Sequence, residues 1–201
     1  MRFVFSNLGL STNPLKEKQM KLLSYFASAA VLASLTFSAS AADFQLQSQS
    51  VSEGAQLSSE FVFQGFGCEG GNLSPQLSWV NVPEGTKSFA ITAYDPDAPT
   101  GSGWWHWNVI NIPSNITSLE IGVSGTDDMP KGAVEMTNDY GAKGFGGACP
   151  PPGEVHRYIF TVHALSIENI ELPEAASNAL TGFMIGANTI KSSKITAVYN
   201  R

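Results

Sequence analysis

The chain has little charge: Asp, Glu, Lys and Arg make up 14% of its 201 residues, with 11 basic against 17 acidic side chains. Its lysines and arginines do not cluster, which disfavours a nucleic-acid partner, because neutralising a phosphate backbone needs a basic face. No CxxC pair, GxxxxGK[ST] loop or HExxH helix is present, so the common signatures of thiol exchange, nucleotide binding and zinc proteolysis are missing. Ser102 stands in Gly101-Ser102-Gly103 rather than in a nucleophile elbow. Gly65-Phe66-Gly67-Cys68-Glu69-Gly70 formally satisfies GxGxxG. That fingerprint must open a helix, and Gly71-Asn72-Leu73-Ser74-Pro75 is a poor start for one, so the match is accidental.

Long apolar runs are equally scarce. One charge-free run, Leu22 to Phe37, follows Lys16, Lys18 and Lys21 and falls short of the roughly 20 apolar residues that span a bilayer. It ends in Ala39-Ser40-Ala41, a small-x-small site, and predicts a signal peptide over 1–41 with cleavage after Ala41 or Ala42. Met20 is an alternative start, and a retained anchor is the competing reading. No cysteine follows the site, which argues against a lipoprotein. Residues 42–201 are then one exported domain, periplasmic or secreted, without stable membrane insertion. Residues 1–41 carry four basic residues and one acidic, which leaves seven basic against 16 acidic, a net charge of −9.

Only two cysteines occur, Cys68 and Cys149, each beside glycines that let backbones approach closely. In an oxidising compartment they are expected to form one disulfide; two buried thiols are the alternative.

What the mature part has is β-forming sequence. Short runs of β-branched and aromatic residues separated by Pro, Gly and Asn predict strands over 43–48, 60–64, 76–80, 87–95, 105–112, 133–137, 156–165 and 194–199. One helix is expected from Pro173 to about Ala187, with Leu180, Phe183, Met184 and Ala187 at helical spacing for packing on the sheet. The glycine- and proline-rich segment 138–153 is a long loop, and long loops in compact domains tend to be functional. Side-chain alternation places Asp95 at the end of the core-facing row Phe89, Ile91, Ala93. It also puts His106 with Asn108 and Ile110, opposite Trp105 and Trp107, and puts His156 with Tyr158, Phe160 and Val162.

Two polar clusters carry the chemistry. Asp95-Pro96-Asp97-Ala98-Pro99 is stiffened by its prolines and leads into Trp104-Trp105-His106-Trp107; His156-Arg157-Tyr158 follows the long loop. If they meet, two imidazoles, a phenol and a carboxylate line one pocket whose donors suit an oxyanion.

These motifs in order resemble the phosphatidylethanolamine-binding protein (PEBP), or Raf-kinase-inhibitor-like, family and its bacterial YbhB/YbcL-like branch. The resemblance rests on Asn72-Leu73-Ser74-Pro75 before Trp79, Tyr94 through Pro99, Gly103 through Trp107, Asn111-Ile112-Pro113, Pro150-Pro151 and His156-Arg157-Tyr158. It implies a mainly β, PEBP-like fold: a central, largely antiparallel sheet packed with a smaller one and one or two short helices. It also implies an anion pocket formed by Asp95, His106, His156 and Tyr158, walled by Trp104 and by the loop from Gly147 through Pro150 to Pro151. Arg157, on the other face of its strand, is assigned a structural ion pair with Asp97.

The function expected from all this is non-enzymatic binding of phosphate, a phosphoryl ester or a phospholipid head group, without a cofactor or a bound metal. The resemblance adds a protein partner of kinase or protease type and a homodimer. Two rival readings stand beside it. One is a metal- or acid–base-dependent esterase or phosphoesterase using Asp95, His106 and His156; the other is an envelope or host-directed interaction module with a vestigial pocket.

Overall fold

The structure, a computed structural model, describes residues 42–173 and 175–201. The expected export signal, residues 1–41, lies outside them. The described part is mainly β. Its elements are β1 (Gln45–Gln47), a 3-10 turn (Ser59–Phe61), β2 (Gln64–Gly65), β3 (Cys68–Glu69), β4 (Leu77–Val80), β5 (Ser88–Asp95) and β6 (Trp104–Pro113). β7 (Ser118–Leu119), β8 (Val134–Glu135), β9 (Val155–Leu165), α1 (Asn178–Asn188) and β10 (Thr189–Asn200) follow. A five-stranded antiparallel sheet, ordered β10-β9-β5-β6-β8, is packed against the smaller β1-β4-β7 sheet.

The apolar, β-branched composition of β5 explains why it is central: all but one of its residues are buried, as a strand covered on both faces requires. One face carries the larger core, where Phe89, Ile91 and Trp107 meet Leu46, Leu77 and Trp79 of the small sheet. Phe89 and Trp79 pack edge to face at 5.1 Å. The other face carries Ala90, Ile110, Leu165, Ile170 and Ile185.

Three expectations need correction. The run 60–64 is not a continuous strand, because residues 70–73 and 148 bond to it: Gly71 and Leu73 N–H donate to Ser59 and Glu60 carbonyls, and Phe63 N–H donates to Ala148 O. The helix begins later than Pro173, because the Ser177 side chain caps the Leu180 N–H. It also buries Thr181 and Ile185 rather than Leu180 and Phe183, which are exposed. The surface under its first turn, built from β6 and the loop after β8, is polar: Asn108 Nδ2 donates to Asn178 Oδ1 and Asn178 Nδ2 to Asp139 Oδ1, both at 2.6 Å.

The GxGxxG segment forms the β2–β3 hairpin. Phe66 (φ 52°) and Gly67 (φ 78°) are its two turn residues, both left-handed as a tight hairpin prefers.

Candidate functional site

Asp95 ends β5, and its chain then turns sharply at Pro96. The Asp95 Oδ1 accepts the N–H groups of Asp97 (2.8 Å) and Ala98 (3.1 Å), an Asx turn that holds the carboxylate in place. Gly103 (φ 70°) returns the chain to β6; a Cβ there would collide with the Tyr94 hydroxyl and the Asp95 carbonyl. Asp95 Oδ2 lies 2.7 Å from His156 Nδ1, and both residues are buried. Glu154, two residues before His156, reaches its other nitrogen, with Oε2 at 3.0 Å from Nε2. Burial alone pulls the His156 imidazole down, but Glu154 and Asp95 outweigh it, so its pKa is raised above the ordinary value. Both ring nitrogens of His156 face carboxylate oxygens, an arrangement that the doubly protonated ring satisfies.

His106 reaches the same place by another route. Ala93 pairs with Trp107 while Tyr94 pairs with Trp105, so β6 carries an extra residue at His106. This β-bulge overturns simple alternation. Asn108 and Ile110 face α1 and the second core, whereas His106 packs edge to face on Tyr158 at 5.1 Å, on the side of Asp95. A second irregularity, at Ile110-Asn111 opposite Ala90, has Asn111 at φ 61°.

His106 Nδ1 lies 2.7 Å from the Gly146 carbonyl. A carbonyl only accepts, so Nδ1 carries the hydrogen. Burial drives the imidazole toward its neutral form, only partly opposed by Gly146 and the Asp95 charge. Its Nε2 is buried and has no hydrogen-bond partner in the protein. Tyr158 OH and Trp104 Nε1 are likewise buried without partners. Burial and the Asp95 charge raise the Tyr158 phenol, so it stays a donor; the Cys149 backbone beside it eases this slightly but makes no hydrogen bond of normal geometry.

These three atoms belong to residues lining a cavity of about 410 Å³, which Asp95 and His156 also line. Its remaining wall includes Phe66, Pro99, Thr100, Tyr140, Cys149, Pro151, Pro152 and Arg201. Gly147 and Pro150, expected in that wall, stand behind it. Gly147 packs so closely on residues 61–63 that a Cβ would collide with their backbone, and its carbonyl accepts from Tyr140 OH at 3.0 Å. The Pro150 carbonyl accepts from Arg201 Nε at 2.7 Å. Cys68 and Cys149 form a disulfide with a Cα–Cα distance of 6.0 Å. It ties the β2–β3 hairpin to the cavity wall.

Arg157 points away from the cavity and grips Asp97 with two parallel bonds, Nη2–Oδ1 at 2.7 Å and Nε–Oδ2 at 2.9 Å. The guanidinium holds the Asp97 carboxyl down at about 2. Among the described residues, no group of three or more His, Cys, Asp or Glu side chains is arranged to hold a metal ion.

Sequence reasoning passed over Glu154, Tyr140, Phe66 and Arg201. Glu154 had a legible signal, since residues two apart share a face of an extended chain. Tyr140 had none: it sits in the irregular loop and is placed by stacking on Phe63 at 3.8 Å.

With the site described, likeness to known proteins adds its identity. Residues 47–200 match the family model for phosphatidylethanolamine-binding protein. YbcL of Escherichia coli (strain K12) is 56% identical over 172 residues, covering 84% of this chain and 94% of that protein. YbhB of the same organism is 50% identical over 157 residues, covering 78% and 99%. The crystal structure of E. coli YbcL, described as a new member of the mammalian PEBP family, superposes with a TM-score of 0.77 at 54% identity, covering 80% of this chain and 99% of that one. The chain belongs to the phosphatidylethanolamine-binding protein family, in its bacterial YbhB/YbcL-like branch.

Proposed function

We propose that this chain is an exported, non-enzymatic binding protein whose cavity takes a small oxyanion, a phosphate or phosphoryl ester. The observation that carries the reading is the set of three buried, unpartnered polar atoms on cavity-lining residues: Trp104 Nε1, His106 Nε2 and Tyr158 OH. Buried polar groups are ordinarily hydrogen-bonded, and leaving one unmade costs about 1–3 kcal/mol, so a site with three is built for a polar visitor. Arg201 and the His156 imidazolium supply positive charge around it.

The cavity's nucleophile candidates support binding over catalysis. Cys149 is in the disulfide, and the Thr100 hydroxyl donates to the Gly103 carbonyl rather than to a histidine. The signal-like segment and the disulfide support export. We extend the proposal to a protein partner, which the family resemblance motivates.

Calorimetry in phosphate- and sulfate-free buffer tests the reading. Inorganic phosphate or phosphoethanolamine is expected to bind the wild type, and His106→Ala or Tyr158→Phe to weaken it by at least about tenfold, the effect of one hydrogen bond to a charged group. Absence of binding to either ligand would sink it. Turnover of phosphoesters or esters that disappears in His106→Ala would replace it with the hydrolase reading.

A further inference from the structure

We infer that Arg201 is the residue that makes the cavity attractive to an anion, and that the Cys68–Cys149 disulfide serves the site by holding together the two loops that Arg201 bridges. This rests on the oxyanion reading above and names the ligand's charge partner.

Without Arg201 the charges around the cavity do not favour an anion. Two carboxylates, Asp95 and Glu154, flank the single imidazole of His156, so that corner is net negative even with the ring charged. Arg157 is spent on Asp97 and points away. Among the residues lining the cavity, Arg201 alone is positive at every ordinary pH. An oxyanion beside Trp104, His106 and Tyr158 finds polar atoms there, but the attractive field comes from the guanidinium.

Arg201 is held in place from several sides. It follows β10, and its carbonyl accepts from Gly153 N–H at 2.8 Å. Its guanidinium then spans two loops: Nε donates to Pro150 O at 2.7 Å, and Nη1 lies 3.3 Å from Cys68 Sγ and 3.5 Å from the Phe66 carbonyl. Gly67 leaves room for it, since a Cβ there would stand 3.3 Å from Nη1. Nη2 bonds no described residue, which leaves its hydrogens for a ligand.

The disulfide joins the same two loops, with Cys68 on the β2–β3 hairpin and Cys149 beside Pro150. Docking of the second loop has other support: Phe63 N–H donates to Ala148 O and Ala148 N–H to Phe61 O. What the sulfurs add is a fixed span between the hairpin tip and residues 149–153, the gap that Arg201 crosses. A guanidinium held in advance gives up little side-chain freedom when an anion arrives, and a released one gives up more.

Calorimetry with inorganic phosphate on the intact protein tests both halves. Arg201→Ala is expected to weaken binding at least about tenfold, the effect of one hydrogen bond to a charged group. Between about 0.02 and 0.2 M KCl the wild type should lose more affinity than this variant, because salt screens a charge that the variant lacks. A purely structural role would leave the two salt slopes alike. Cys68→Ser with Cys149→Ser, or dithiol reduction of the folded wild type, should cost about threefold to tenfold, the scale of ordering one long side chain. In the Arg201→Ala background the same cut should cost under about twofold, since the two changes act through one group. Arg201→Ala binding within about threefold of the wild type, equal salt slopes, or an equal loss on cutting the disulfide in both backgrounds would overturn the inference. So would unfolding of the chain by both ways of cutting the disulfide, which the contacts at Ala148 are expected to prevent. In each of these cases a loss of phosphate binding in His106→Ala leaves the oxyanion site standing. If the wild type binds neither inorganic phosphate nor phosphoethanolamine, the proposed function falls and this inference with it.

Discussion

The two histidines of the cavity stand in opposite conditions. At the Asp95 corner, His156 and the carboxylate satisfy one another, the Asx turn takes the second oxygen, and Glu154 takes the second nitrogen. Across the cavity, His106 has one partner and one bare nitrogen, and Tyr158 and Trp104 beside it have bare polar atoms too. The difference separates two jobs that the residue types alone do not distinguish. A saturated polar cluster rigidifies a fold, whereas an unsaturated one stores a recognition preference at the expense of stability.

Breaking the saturated corner should have the largest effect. Asp95→Ala leaves a buried imidazolium and two N–H groups without their carboxylate, and a buried pair broken on one side costs about 3–5 kcal/mol. Urea unfolding should show that loss; a change under about 1 kcal/mol, the scale of an exposed pair, would mean the corner is not structural. Tyr158→Phe probes the unsaturated wall and should do the reverse. Oxyanion affinity falls roughly tenfold to hundredfold, as expected for a hydrogen bond to a charged ligand, while unfolding free energy does not fall. A clear loss of stability in that variant would show that the hydroxyl has a structural partner in solution.

Glu154→Ala converts part of the corner into the wall. With its carboxylate gone, His156 Nε2–H is free and a like charge beside this cavity residue is removed. Phosphate affinity should rise about twofold to fivefold, the scale of a partly exposed charge interaction; unchanged or weaker binding would show that Glu154 does not compete for the site. Arg157→Gln lies outside both regions, on an exposed ion pair, and should move neither the unfolding curve nor phosphate binding beyond experimental scatter.

The two histidines should also impose opposite pH dependences on stability. His156 is raised in the fold, so its contribution is complete below the unfolded value of about 6.5 and is lost as pH rises through the folded pKa. His106 is lowered, and so is His163, to about 4 under the opposite face of the sheet; their contributions are present above about 6.5 and lost as pH falls. Melting temperatures measured from acid to alkaline pH should decline on both sides. The alkaline decline should shrink in His156→Gln, and its persistence there would assign it to another group.

Much of the scaffold was legible from the chain. The β5 and β9 patterns placed Asp95 on its core face and His156 with Tyr158, because β9 pairs with β5 without interruption from Ser88 to Tyr94 and alternation survives. In β6 the same logic failed at His106, since a bulge is a property of the pairing with β5 rather than of β6 alone. The helix face was misread for a related reason: Leu180 and Phe183 have the right spacing, but Asn108 of the sheet and Asp139 of the following loop bond to Asn178 and orient α1 accordingly. The two-residue strands β3 and β7 are too short to carry any period.

By itself, then, the amino-acid sequence determined the local features: the proline-stiffened turn that anchors Asp95, the glycines that permit close approach at Gly103 and Gly147, and the ordered motifs of the PEBP family. These depend on sterics within a few residues, and neighbours in the chain suffice to set them. Only the tertiary structure decided which way His106 points, that its Nε2 is left without a partner while both nitrogens of His156 are taken, and that Glu154 closes the Asp95–His156 corner. Those outcomes depend on strand register and on partners such as Gly146, 40 residues from His106 in the chain, and hydrogen-bond saturation is a count over all such partners at once.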